Sequence, residues 1–183
     1  LILDAHVEIH GRIANGILEA ESITFDGMFE IESNVAALNA GARSLTLVGL
    51  TGMTLHVDSN TAIDGEGNLR RFEDITVGDH LKIHGRPSGN AGVLATELER
   101  SDPGSKVKLH GPVQSILGSV LTIAGSTIDT AAIQDNRFTR SDGTIIGRSG
   151  FFQALANDRK VTVIGTAAGS VVSWTSVRLS GGE

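Results

Sequence analysis

The 183-residue chain contains no cysteine and no tyrosine, a single tryptophan, and only 4% aromatic residues. Without cysteine it has no disulfide, no thiolate nucleophile and no cysteine-type zinc site. That absence leaves the compartment open, because disulfides are optional outside the cytosol. No stretch approaches the roughly 18–20 consecutive apolar residues that a transmembrane helix needs. Basic residues are the minority, 15 Lys+Arg against 21 Asp+Glu, for a formal charge of −6. A protein that binds nucleic acid with its whole surface is normally basic, so the balance argues against that partner. The chain opens Leu1-Ile2-Leu3-Asp4, with no methionine and no signal-peptide pattern. The expectation from that start, and from the repeats below, is a piece of a larger protein.

What is present is globular in character: 40% apolar and 20% charged residues, enough for one large domain or two small ones. Internal repeats dominate the pattern. His6-Val-Glu-Ile-His10-Gly11 recurs as His80-Leu-Lys-Ile-His84-Gly85, and more loosely as Lys160-Val-Thr-Val-Ile164-Gly165. A second alternating segment follows each copy, at Ala20–Ile23, Ala95–Leu98 and Trp174–Val177. Between the copies, Phe29-Glu-Ile31 with Ser44-Leu-Thr-Leu47 parallels Val107-Lys-Leu109 with Val120-Leu-Thr-Ile123. This divides the chain into modules at 27–102 and 105–180, preceded at 1–25 by the closing half of a further module. A half-module cannot bury its own apolar face, so 1–25 is expected to pack on a neighbour, pair with another chain, or fray.

The period is two throughout. Leu81 and Ile83 alternate with His80, Lys82 and His84, which predicts a strand with the first two inward and the last three outward. Module one orders as strands at 28–37, 43–49 and 52–58, a short helical stretch at 69–75, then strands at 79–85 and 92–99. That is the order of a five-stranded OB-type barrel. Module two has the same order, with its helical turn at Phe151-Phe-Gln-Ala-Leu155 and an added excursion at 135–150. The expected fold is therefore all-β: tandem small five-stranded OB-like barrels with one short helical turn each, a plain β-sandwich being the alternative. The glycine that closes each repeated strand predicts a bend or bulge there.

Four segments, Thr61-Ala-Ile63, Phe72-Glu-Asp-Ile-Thr-Val-Gly-Asp79, Leu81-Lys-Ile-His-Gly85 and Gly92-Val-Leu-Ala-Thr-Glu-Leu98, carry a resemblance. They resemble an uncharacterised bacterial family, a domain of unknown function found singly or in tandem in cell-envelope and secreted proteins. Module two departs from the pattern at Ala156-Asn-Asp-Arg159 and at Trp174. The resemblance implies an envelope or extracellular location, periplasm or surface, and no known activity.

Candidate chemistry is sparse. His84 and His110, with Glu32 at the position matching His110, are the best metal candidates, because the first and fourth strands of such a barrel are neighbours. His6/His10 and His80/His84 stand four apart on a strand, about 13 Å, too far for one ion. Asp58, Asp64, Glu66, Asp74 and Asp79 fit turn and cap chemistry better than paired-carboxylate catalysis. No nucleophile elbow or phosphate loop is present in the sequence. Arg137, Arg140 and Arg148, near Phe138, Phe151 and Phe152, are the candidates for an anionic polymer, polysaccharide or single-stranded nucleic acid. Read otherwise, those phenylalanines are core anchors. Trp174 is expected in the core of the last strand. The reading is a non-catalytic scaffold or binding array with no cofactor, partnered by neighbouring modules and an unidentified protein or polymer. The alternatives are a low-affinity divalent-metal module using the outward His, and the polymer binder.

Overall fold

The alternating segments become strands in a computed structural model that describes residues 7–14, 17–25, 28–65, 69–89, 92–155 and 160–180. β1 (Val7–Ala14) and β2 (Ile17–Phe25) form an antiparallel hairpin that is a two-stranded sheet of its own. Then come β3 (Phe29–Asn39), β4 (Ser44–Leu47), β5 (Thr54–His56) and a short β6 (Ala62–Gly65). A 3-10 turn at Phe72–Asp74 stands within the expected helical stretch, followed by β7 (His80–Ser88) and β8 (Gly92–Ser101). β3 pairs β4, β4 pairs β5, β5 runs parallel to β8, β8 pairs β7, and β7 returns to β3. The circuit closes a five-stranded barrel. Its interior holds Ile31, Leu45, Leu55, Leu81, Ile83 and Leu98, with Leu69 and Phe72 of the 3-10 segment buried against them.

The second set begins with β9 (Lys106–Pro112), β10 (Ser115–Leu117), β11 (Val120–Ile123) and β12 (Ser126–Asp129). The excursion at 135–150 is not irregular loop. It holds a 3-10 turn, the two-residue β13 (Phe138–Thr139) and the start of α1 (Gly147–Ala154). β14 (Lys160–Ala168) and β15 (Val171–Leu179) complete the set. Here the expectation of a second closed barrel is corrected. β10, β11 and β12 form a separate three-stranded sheet, and among the described residues β12 does not pair with β15.

The two sets share one sheet. Glu30, Ile31 and Glu32 of β3 pair with His110, Leu109 and Lys108 of β9. The flanks then match outward from this junction: β7, β8 and β6 on one side, β14, β15 and β13 on the other. One cross-strand row runs through all eight: Ile63, Leu98, Ile83, Ile31, Leu109, Val163, Val177, Phe138. Every member but Ile63 is buried. Each fully buried large apolar side chain contributes about 1.5–3 kcal/mol, and Ile31 with Leu109 carries the row across the junction.

The predicted bends are β-bulges, at His10/Gly11, His84/Gly85 and Ile164/Gly165. A Cβ on Gly85 would stand 2.5 Å from Val93 Cγ1, and one on Gly165 2.7 Å from Val172 Cγ1 and 2.8 Å from the Ser173 carbonyl. The close return of the following strand, rather than a positive φ, requires glycine at both. Of 1–25, expected to pack on a neighbour, pair with another chain or fray, the structure shows β1 paired with β2; residues 1–6 and 15–16 lie outside the described ones. Trp174, expected in the core, is half-buried at its edge.

Candidate functional site

The acidic turn residues do structural work. Asp58 Oδ1 accepts the Asn60 amide at 2.8 Å, and Thr61 Oγ1 ties that turn to the Ala95 carbonyl at 2.7 Å. Asp74 Oδ2 accepts the amides of Arg70 and Arg71, each at 3.2 Å. Asp79 Oδ2 accepts the Thr76 amide at 2.8 Å and the Arg100 guanidinium at 2.6 Å. Arg100 also donates to the Asp74 carbonyl at 2.5 Å, so one arginine joins both turns to β8. Asp64 is exposed, 3.6 Å from Arg70. Glu66 lies outside the described residues.

The basic stretch also splits. Arg148, on α1, donates to the carbonyls of Thr130 (2.8 Å), Ala131 (3.1 Å) and Ile133 (2.7 Å), and its guanidinium stacks 4.7 Å from the Phe138 ring. Arg137 and Arg140 are exposed. Phe138 and Phe151 are fully buried, in T-shaped contact at 5.5 Å. Polymer binding needs exposed rings beside unspent charge. Here the rings are core anchors, and Arg148 holds the loop to them.

The metal candidates need a change of register. β3 does bring a carboxylate between two histidines, but it is Glu30. Glu30 stands opposite His84 on β7 and opposite His110 on β9. Glu32, expected beside His84, stands opposite Lys82 and Lys108 instead. The face was correctly read, since Glu30 and Glu32 lie two apart on one strand, but the shear between strands was not. Lys108 Nζ ion-pairs with Glu30 Oε1. Burial pushes the Glu30 carboxyl up; the Lys108 hydrogen bond and charge, then the charges of His84 and His110, hold it below its ordinary value. Among the described residues no group of three or more His, Asp or Glu side chains is placed to hold a metal ion.

His80 was expected to point outward and is instead buried, 4% exposed. Its Nδ1 is 2.5 Å from Asn34 Oδ1 and its Nε2 3.2 Å from Glu32 Oε1. Gly104, in the linker 102–105, lies over the ring. Glu32 Oε2 then reaches Lys106 of β9 at 2.7 Å. Burial pushes Glu32 up, and the hydrogen bonds from Lys106 and His80, with their charges, hold it below its ordinary value. These groups line a polar cavity of about 510 Å³ between the barrel and the linker. Its cations are matched: Lys82 lies 3.9 Å from Glu99, and Arg100 and Lys106 are paired as above. A second, apolar cavity of about 320 Å³ lies beside the turn 47–53. Strand alternation alone marks His80 as outward. The signals for its burial are long-range: Asn34 and Glu32 46 and 48 residues away, and a glycine in the linker.

Closed five-stranded barrel, shared sheet and matched charges define a β-barrel protein whose polar groups knit its parts together. No helix among the described residues is long and apolar enough to cross a membrane. Residues 32–99, which make up most of the closed barrel, match a family described as a domain of unknown function, DUF5666. No curated protein and no solved structure matches the chain.

Proposed function

We propose that the chain is a non-catalytic scaffold or binding array of the bacterial cell envelope, built of a closed OB-like barrel at 27–102 and a second, open strand set at 105–180. The observation that carries this reading is the β3–β9 junction. It merges two strand sets into one sheet and buries an unbroken apolar row across both. Such a joint transmits orientation, which a spacer or platform needs. The charges at the junction serve the same end, since Lys106, Glu32 and His80 link second set to first. The envelope location in this reading is supported by the family resemblance alone.

Calorimetry of the chain tests the joint. A single transition with equal calorimetric and van't Hoff enthalpies is expected; two separate transitions overturn the rigid-scaffold reading. Fractionation of cells that express the protein tests the location, with recovery in the periplasm, envelope or medium expected and cytosolic recovery contrary to it. A defined turnover lost on one point substitution, with the fold intact, would overturn the non-catalytic part.

A further inference from the structure

We propose that β1 is a docking edge, which accepts as an antiparallel third strand an extended segment of another polypeptide with the alternating pattern of β3 and β9. The proposal deepens the binding-array reading by naming what is bound, and calorimetry of the joint stands or fails separately from it. Three hairpins of the chain are built alike. Each skips one residue of its second strand at the same place. His10 and Gly11 of β1 face Ser22 and Ala20, His84 and Gly85 of β7 face Glu97 and Ala95, and Ile164 and Gly165 of β14 face Ser176 and Trp174. In two of the three, the other edge of the first strand is covered by an antiparallel strand: β3 lies along β7, and β9 along β14. Both covering strands take the same register from the bulge, Phe29 opposite Gly85 and Val107 opposite Gly165. β1 shares the build, and among the described residues it pairs with β2 alone.

An open strand edge presents a row of backbone N–H and C=O groups ready to pair. A two-stranded hairpin is marginal in water, and a third strand with an apolar face stabilises it. Ile13 and Ile17, at the turn end of this hairpin, are exposed. In strand addition the main chain supplies affinity and alternate side chains supply specificity. The shared register names that specificity. Phe29 and Ile31 stand opposite Gly85 and Ile83, so the incoming apolar positions fall opposite Gly11 and Ile9. The position between them falls opposite His10, as Glu30 falls opposite His84, and suits a carboxylate. The next falls opposite Glu8, where β7 has Lys82, and suits a cation. A second folded copy offers no such strand. Residues 30–32 of β3 are paired on both edges, by β7 and β9, and 108–110 of β9 by β3 and β14.

The full chain is titrated into a fluorescein-labelled synthetic peptide of residues 28–36, read by anisotropy. One saturable site is expected, with slowed hydrogen exchange of the chain at 7–11 when peptide is added. Ile31→Pro in the peptide should abolish binding, because proline cannot sit within a ladder paired on that edge. Glu32→Lys in the peptide should tighten it about two- to fivefold, the range of one cross-strand charge pair. These changes lie in the peptide, so no loss of fold in the chain can mimic them. The chain has no cysteine of its own, so Ile9→Cys gives a test of register by thiol–disulfide exchange. An activated Ile31→Cys peptide should couple to it faster than Glu30→Cys or Glu32→Cys peptides, because opposite positions share a face and their neighbours do not. Absence of saturable binding, equal binding of the Ile31→Pro peptide, or protection confined to strands other than β1 would each overturn the proposal. So would a dimer of the chain, paired through β1, that the peptide does not dissociate.

Discussion

The two strand sets start from the same strand order and end differently. In the first, β8 begins by pairing with β5 through Gly92, Val93 and Leu94, and the barrel closes. In the second, the matching part of β15, residues 171–176, pairs among the described residues only with β14 and alternates between exposed and half-buried. The reason lies in what each set packs against. The side chain of Val172, at the start of β15, presses on Gly49 of the first barrel, and the Gly125 carbonyl sits against Gly52. The second set gives its open side to its neighbour. Its core is supported instead by α1, whose Phe151 and Phe152 enclose Phe138. Closure is therefore a property of the packing partner as well as of strand order.

The largest test removes that substitute core. Phe151→Ala should cost about 3–5 kcal/mol, by loss of transfer energy and creation of a cavity, measured by urea unfolding. Hydrogen exchange should show the loss first in β14 and β15, while the closed barrel keeps its protection. Equal loosening of both sets would show that α1 supports the whole sheet.

Arg148→Met comes next. It leaves three carbonyls without their charged donor and should cost about 2 kcal/mol in the same assay. A neutral result would make the arginine a surface ornament and reopen the basic-loop reading.

A matched glycine pair sharpens the contrast. Gly85→Ala and Gly165→Ala each force a Cβ against the returning strand, at about 1–3 kcal/mol. The closed barrel has less room to yield, so Gly85→Ala should cost more. The reverse order would mean that the open set is the more rigid.

The smallest expected effect concerns the junction and pH. The Glu32 carboxyl lies below its ordinary value of 4.5 when folded. Its contribution is fully present above that value and is lost as pH falls through the lower, folded one. Stability against pH should therefore show an acid limb that Glu32→Gln reduces, read as thermal midpoint between neutral pH and pH 3. An unchanged limb would show that the Lys106–Glu32–His80 link adds nothing to the joint.

Much of the closed barrel was legible in local pattern. Period-two alternation located β3, β7 and β8, repeated glycines located the bulges, and turn chemistry assigned Asp58, Asp74 and Asp79. The added short strands, β6 and β13, were not legible. Ala62–Gly65 and Phe138–Thr139 become strands only because β8 and β15 offer them an edge. The candidate site was half legible. His84 and His110 were placed on the correct face, but strand shear chose Glu30 over Glu32, and no local signal encodes shear.

By itself, then, the sequence determined the longer strands, most of their inward and outward faces, and the points where they bend. Those follow from side-chain period and from backbone sterics, which act over a few residues. Tertiary structure alone decided that β3 joins β9, that His80 is covered, that Glu30 stands between two histidines, and that one set closes while the other stays open. Each depends on which surfaces meet across tens of residues, where burial of a shared apolar row outweighs any local preference.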